Sequence, residues 1–258
     1  MMGNVIVTSF IVLTALAGYA LRSLTLSGAL AALVVGIAVF HGFGLSGIVL
    51  LGIFFASSSA WSKYKSSMKV EIEERLAKGA RRDWQQVLAN GGLAGLVSVL
   101  YSVWPNNIYF MGFLVSLASA NSDTWASEIG SLSKKKPFSV RSFTRVERGT
   151  SGAVSLLDTL SALAGSLLMA VSSVIFLNLP FEKAVFVFVF GFLVNLLDTL
   201  LGAFFQSVYF CHTCCIETEK KFHCGKVTGK LRGLTILDND VVNFLSGLLA
   251  VCLTIPFL

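Results

Sequence analysis

Residues 24–61 read LTLSGALAALVVGIAVFHGFGLSGIVLLGIFFASSSAW, without one Asp, Glu, Lys or Arg. A single spanning helix needs about 20 mostly apolar residues, so this run is long enough for two. His41-Gly42-Phe43-Gly44 sits at its middle as a tight turn. The stretch therefore reads as two spans, Leu24–Phe40 and Leu45–Trp61, joined back to back.

The same texture extends in both directions. Val5–Leu21 precedes the pair, and Val87–Val103, Ile108–Ala126, Gly152–Leu179, Ala184–Val208 and Val241–Leu258 follow it. Apolar residues make up 55% of the chain and charged residues only 13%, about half the share usual in a soluble domain. The expected fold is all-α: a polytopic transmembrane bundle of about eight spanning helices, forming a single integral membrane domain over residues 1–258. Gly inside the spans suits close helix packing in lipid. The N-terminus has neither a basic n-region nor a small-residue cleavage site, so the first run is expected to be a retained helix.

Basic residues set the expected orientation. Counting loops between consecutive spans, the odd-numbered loops hold 19 of the 20 Lys and Arg residues, and the even loops hold only Lys183. The positive-inside rule makes the odd-loop face cytoplasmic and turns both termini outward, as in a bacterial-type plasma membrane. The high pI is thus a topological signal and does not argue for nucleic-acid binding. In the third loop Tyr64, Met68, Ile72 and Leu76 form an apolar stripe, with Glu71–Arg75 and Glu74–Lys78 pairs at i,i+4. This predicts an interfacial amphipathic helix over about 62–84, with Lys63 and Arg82 near its two membrane ends.

Ionisable residues inside a span are costly and point to function. Asp123, Asp158 and Asp198 qualify, each followed by Thr. The expected spans place all three within roughly 5–15 Å of the cytoplasmic interface, at 1.5 Å per residue, where they could share one pocket. Asp238 and Asp240 reach the same level just before the last span. Asn195 with Asp198, and Asp240 with Asn243, are i,i+3 pairs presenting oxygen-rich faces suited to Mg²⁺ or Ca²⁺. Lys134, Lys135, Lys136, Arg145 and Arg148 stand nearby, and Gly149-Thr150-Ser151-Gly152 is expected to open span six as an anion-binding helix N-terminus. Carboxylates, metal, cations and a helix N-terminus together suit phosphoryl transfer, although no P-loop occurs. Structural hydrogen bonding of these acids, or a proton- or Na⁺-coupled transporter, are the competing readings. The paired Leu-Leu-Asp-Thr-Leu segments at 156–160 and 196–200 look like a repeat, which fits a transporter but is too short to establish one.

The seventh loop, about residues 209–236, carries Cys211-His212-Thr213-Cys214-Cys215 and His223-Cys224. On a cytoplasmic face disulfides are disfavoured. The spacing predicts either structural Zn²⁺ on Cys211, Cys214, Cys224 and His223, with Cys215 as a possible substitute ligand, or free thiols. Cys252 is expected to pack inside the last span.

Asn121-Ser122-Asp123-Thr124-Trp125-Ala126-Ser127-Glu128-Ile129-Gly130, followed by Leu132-Ser133-Lys134, resembles the hallmark of one integral-membrane family. Its members include the phytyl-phosphate kinase of plastids and transmembrane protein 19 of animals. Ser57-Ser58-Ser59 before Lys63, Arg82 and Trp84 before Asn90-Gly91, Arg145-Val146 before Gly149-Thr150, the segment around Asp198, and Leu237-Asp238-Asn239-Asp240 before Asn243 match it too, as does the Cys loop. Departures fall at Glu147-Arg148, where a small or proline-containing pair is usual, and at Asp158, where Gly is commoner.

The resemblance implies a kinase converting a prenyl monophosphate (phytyl, geranylgeranyl or farnesyl phosphate) to the diphosphate with Mg²⁺ and a nucleoside triphosphate, CTP by analogy with lipid-alcohol kinases. Under this reading Asp123, Glu128, Asp198, Asp238 and Asp240 are the catalytic and Mg²⁺-ligand candidates, with Ser127 supporting Asp123. Lys134 and Arg145 are the expected phosphate clamps. Lys63, Arg82, Asn195, Asn243, Thr150 and Ser151 are further substrate contacts. A CTP-dependent lipid-phosphate nucleotidyltransferase would use the same groups, and a non-catalytic assembly factor would use the loops for docking.

Overall fold

The computed structural model describes residues 2–257. The chain is mostly helical, with α1 (Met2–Ala20), α2 (Leu26–Lys63), α3 (Val70–Arg75), α4 (Trp84–Val103), α5 (Asn107–Gly130), α6 (Leu156–Leu177), α7 (Phe181–Phe204) and α8 (Asn239–Thr254). Among the described residues five of these helices, α2, α4, α6, α7 and α8 with its terminal turn, are long and apolar enough to cross a membrane.

The opening stretch folds as a helical hairpin. A straight helix of the 38 residues of α2 would run about 57 Å. Both its ends nevertheless meet Arg82: the Thr25 N–H donates to the Arg82 carbonyl at 2.9 Å, and the Arg82 guanidinium donates to Ser59 and Ser62 at 3.4 and 3.3 Å. The chain reverses at Gly44, whose φ of 59° and ψ of −148° are open to glycine and strained for other residues. The turn expected over 41–44 is thus concentrated in one residue.

α5 is the hub. Every residue from Met111 to Ser122 is buried, with α2, α4, α6, α7 and α8 packed around it. Its polar side chains clamp these neighbours. Asn121 accepts from Ser57 and Ser58 at 3.1 and 3.3 Å and donates to the Gly165 carbonyl at 2.7 Å, while Ser122 donates to Ala162 O at 2.9 Å. Gly165 permits this approach, because a Cβ there would lie 2.9 Å from Asn121 O. Much of the hallmark therefore joins α2, α5 and α6.

The loops carrying the basic blocks meet on one face. Thr218 Oγ1 and the Glu219 N–H donate to Arg75 O at 2.7 and 2.8 Å, Arg232 donates to Ser151 O at 3.3 Å, and the Arg82 N–H donates to Ser23 O at 3.0 Å. At the other end Lys183 donates to Asn107 at 3.0 Å.

Several expectations are corrected. The fold, expected to be all-α, is mostly helical but also contains short strands. β1 (Phe138–Ser139) pairs with β2 (Ala153–Val154), and the Cys loop is a small β unit. In it β3 (Val208–Cys211) lies between β4 (Ile216–Thr218) and β7 (Gly229–Arg232), beside a β5 (Phe222–His223)–β6 (Lys226–Val227) hairpin. The span expected to start at Gly152 becomes helical only at Leu156, because Ala153 and Val154 are taken up by strand pairing. The span expected to reach Val208 ends at Phe204. Gly149 and Gly152 have φ of 80° and 75°, so Thr150 and Ser151 lie in a turn and not at a helix N-terminus.

The amphipathic helix expected over 62–84 shrinks to the six residues of α3. Lys65, in the left-handed region at φ 49°, breaks it on one side, and Leu76 is extended on the other. Lys69 is drawn inside by Glu128 at 2.6 Å, and Ile72 is buried against Gly149. Distant partners override the local stripe. Cys252 is exposed on α8 and not packed inside.

Candidate functional site

Two polar cavities sit side by side at the basic-loop end. The first, about 190 Å³, is lined by Asp123 and Ser127 of α5, Arg148 to Gly152 of the turn before β2, Asp158 of α6, Asn195 and Asp198 of α7, and Glu219. On α5 the positions Asp123, Ala126, Ser127 and Gly130 recur at helical spacing and form one wall. The three acids expected to converge do line one cavity, but their environments differ.

Asp123 and Asp198 are half-buried neighbours. The Asn195 amide lies beside Asp123. Ser246 donates to Asp198 Oδ1 at 3.1 Å, and Asn243, with its amide turned to donate, reaches the same oxygen at 3.2 Å. No Lys or Arg pairs with either carboxylate among the described residues. Two adjacent carboxylates without a counter-cation, oriented by amide and hydroxyl groups that donate to them, are an oxygen set that fits a hard divalent cation such as Mg²⁺.

Asp158 has a structural task. Its carboxylate accepts from the Ser155 N–H at 2.5 Å, and its own N–H donates to Ser155 Oγ at 3.3 Å, the reciprocal capping box that starts α6. It also packs so tightly against Gly130 that a Cβ there would collide with it.

The second cavity, about 210 Å³, is lined by Lys69, Lys78, Arg82, Glu128, Asp238 and Asp240 among others, and shares Ser127, Ser131, Glu219 and Asn239 with the first. Three of its acids are already engaged. Glu128 takes Lys69 at 2.6 Å and Ser62 Oγ at 2.5 Å. Asp240 takes Lys78 at 2.5 Å. Asp238 caps α8 by accepting from the Val241 N–H at 3.0 Å. Burial works against the Lys78 charge, but hydrogen bonds to Asp240 and Asp83 outweigh it and raise the ammonium pKa.

Lys63 and Lys134 are exposed and line neither cavity. Arg145 is exposed and lies in a separate open basin of about 770 Å³ with Arg75, Arg141 and Arg232, which meets the first cavity at Thr150. Arg148, Lys69, Lys78 and the expected Arg82 are the cations the fold brings to the cavities. Lys69 and Lys78 sit in what reads as a surface stripe, so local sequence hides them. Glu219, between the two cavities, was also missed. It accepts from Ala77 N–H, Ser151 and Gln206 at 3.2, 3.1 and 2.6 Å, and burial pushes its carboxyl pKa up despite those donors. A lone acid beside a Cys cluster gives no signal of its own.

In the β unit the ligand atoms of Cys211, Cys214, His223 and Cys224 lie within 4.8 Å of one another. His223 Nδ1 is 3.4 Å from Cys214 Sγ and 3.2 Å from Cys224 Sγ. Positive φ at Cys224 and Gly225, 51° and 71°, makes the β5–β6 turn that lets adjacent residues serve one centre. The Cys214 N–H brings the Cys211 thiol down to about 6, whereas burial and neighbouring sulfurs push Cys214 up to about 11. This cluster could hold a metal ion, and three sulfurs with one imidazole fit Zn²⁺.

Apolar helices around polar cavities at one end define a multi-pass integral membrane protein. Residues 9–251 match the family described as integral membrane protein DUF92, and the chain belongs to it. This is the family whose hallmark the Asn121–Gly130 stretch resembles. Protein PGR of Arabidopsis thaliana is 31% identical over 281 residues, 97% of this chain and 93% of that protein. Protein VTE6, chloroplastic, of the same plant is 31% identical over 192 residues, 71% of this chain and 57% of that protein. An uncharacterized membrane protein of Methanocaldococcus jannaschii is 31% identical over 189 residues, 72% of this chain and 76% of its own. No solved structure matches.

Proposed function

We propose that the protein is a membrane-embedded kinase that phosphorylates a prenyl monophosphate to the diphosphate at the expense of a nucleoside triphosphate. The observation that carries this reading is the uncompensated pair Asp123 and Asp198 facing a cavity that adjoins a second, cation-bearing one. The family resemblance supports the same chemistry. Mg²⁺ held by Asp123 and Asp198 would neutralise charge on the nucleotide phosphates. Asn195 and Asn243 hold the two carboxylates, and Glu219 and Arg148 line the approach. Arg75, Arg141, Arg145 and Arg232 offer a basin for the nucleotide phosphates, opening to the cavity at Thr150. Lys78 and Arg82 face the phosphate of the prenyl substrate.

An oxygen of that monophosphate attacks the nucleotide γ-phosphorus. The bond from γ-phosphorus to its bridging oxygen breaks, and the nucleoside diphosphate leaves. The nucleophile is already ionised, so positioning and charge neutralisation suffice. In this reading all eight apolar segments cross the bilayer, the two arms of α2 counted separately, and the basic-loop face is cytoplasmic. Zn²⁺ on the Cys cluster holds the β unit against Glu219 without taking part in the reaction.

The test is purified protein with γ-labelled nucleotide and a panel of prenyl monophosphates, with and without Mg²⁺. Label in a prenyl diphosphate together with nucleoside diphosphate is expected. Pyrophosphate release would establish nucleotidyl transfer instead, and no product with any nucleotide would overturn the reading.

A further inference from the structure

We propose that the groove between α1, the α2 hairpin and α4 holds the prenyl tail, with Arg82 at its mouth receiving the phosphate. This assignment rests on the kinase reading. The groove encloses about 300 Å³ and is lined by apolar residues and glycine except for Thr14, Arg82, Gln86 and Asn90. It is separate from the acid cavity, yet Arg82 and Gln86 line both this groove and the cation-bearing cavity. Two side chains, one of them cationic, thus stand where an apolar channel becomes a polar chamber. That arrangement matches an amphiphile with an anionic head and a hydrocarbon tail.

The Arg82 guanidinium forms no ion pair among the described residues and donates only to two hydroxyls, Ser59 and Ser62, at 3.4 and 3.3 Å. Enclosure by protein lowers its pKa, with the Glu128 charge acting the other way. A cation held this way has donors to spare for a phosphate. The groove is also extended: its lining on the returning arm of α2 runs from Ile48 to Ala56, and Ser62 at the head end lies 14 residues beyond Ile48, about 21 Å along a helix.

Gly52 gives a direct handle. It lines the groove, and a Cβ there would meet nothing within 4 Å, whereas a Cβ at Gly36 would press on Ile11 at 2.8 Å. Gly52 lies seven to ten residues from Ser59 and Ser62, about 10–15 Å from the head end. A large side chain at this position blocks the far part of the groove and leaves the near part open, and replacing a helical glycine does not weaken the helix.

The experiment measures kcat/KM of wild type, Gly52→Phe and the outer-face control Leu30→Phe on dimethylallyl and geranylgeranyl phosphate. A photoreactive diazirine-tailed prenyl phosphate is crosslinked to wild type in parallel and mapped by mass spectrometry. Gly52→Phe is expected to lose at least about tenfold on the long substrate relative to the short one, with Leu30→Phe unchanged and adducts on α1, α2 or α4. A wild type that turns over both substrates while Gly52→Phe keeps its profile, or adducts confined to other helices, would overturn the groove assignment alone. Loss of the adducts on competition with phosphatidylglycerol as readily as with geranylgeranyl phosphate would make the groove a bilayer-lipid site and overturn it too. A wild type without turnover that still crosslinks in the groove would instead defeat the kinase reading and leave the tail site standing.

Discussion

Asp123→Asn separates the metal-site reading from a purely structural one. Asn keeps the volume and one oxygen but removes one of the two carboxylate charges facing the cavity, leaving Asp198 with Ser246 and Asn243 around it. At about 4 Å and an effective dielectric near 20, one pair of unit charges is worth about 4 kcal/mol, and a divalent ion doubles that. Dehydration of the ion and the retained amide oxygen cancel part of the difference. A net loss of about 3 kcal/mol corresponds to roughly a hundredfold in kcat/KM. The assay is phosphoryl transfer in nanodiscs across a Mg²⁺ titration, alongside thermal unfolding with and without Mg²⁺. Without the metal the variant should be as stable as wild type or more so, since two neighbouring carboxylates no longer repel. Wild type should gain more from Mg²⁺ than the variant does. Near-normal turnover together with an equal Mg²⁺-dependent shift in Tm would refute the assignment.

Asp158→Gly should retain most activity but lower stability by about 1 kcal/mol through loss of the capping box; a folded but inactive variant would mean that Asp158 acts in the chemistry. Lys69→Ala should cost about 3 kcal/mol by leaving Glu128 without its buried partner, and Glu128→Gln in the same chain should restore much of that loss in thermal unfolding. Purified protein should carry about one Zn²⁺ per chain by metal analysis; four freely reactive thiols in the β unit would reject this. Asp83 has a lowered pKa because Lys78 and the α4 N-cap outweigh burial, and Lys78 has a raised one. The stability from this pair should therefore fade as pH falls below the ordinary 3.8 of Asp83 and again as it rises above the ordinary 10.5 of Lys78; Asp83→Asn should flatten the acid limb of a stability–pH profile.

Apolar run length and the spacing of charge blocks determined by themselves that the chain is a bundle of membrane helices with its basic loops grouped. Both are local quantities: a segment of hydrocarbon length either satisfies its backbone as a helix or does not enter lipid. The hairpin at Gly44 was legible for the same reason, as was the Cys cluster, whose ligands lie close in sequence. Asp123 and Asp198 stood out because an acid in an apolar run is conspicuous wherever the helix goes. The family resemblance already set Asp158 apart from them as a departure; only the tertiary structure gave the physical reason, because a capping box depends on where α6 begins, and pairing of Ala153 and Val154 with β1 sets that point. Only it showed that Glu128 is neutralised by Lys69 and Asp240 by Lys78. It also showed that Lys63, Lys134 and Arg145 lie away from the acids, whereas Glu219 and Arg148 line their cavity. Those pairings join residues far apart in the chain, and burial strengthens them enough to override the amphipathic stripe around Lys69.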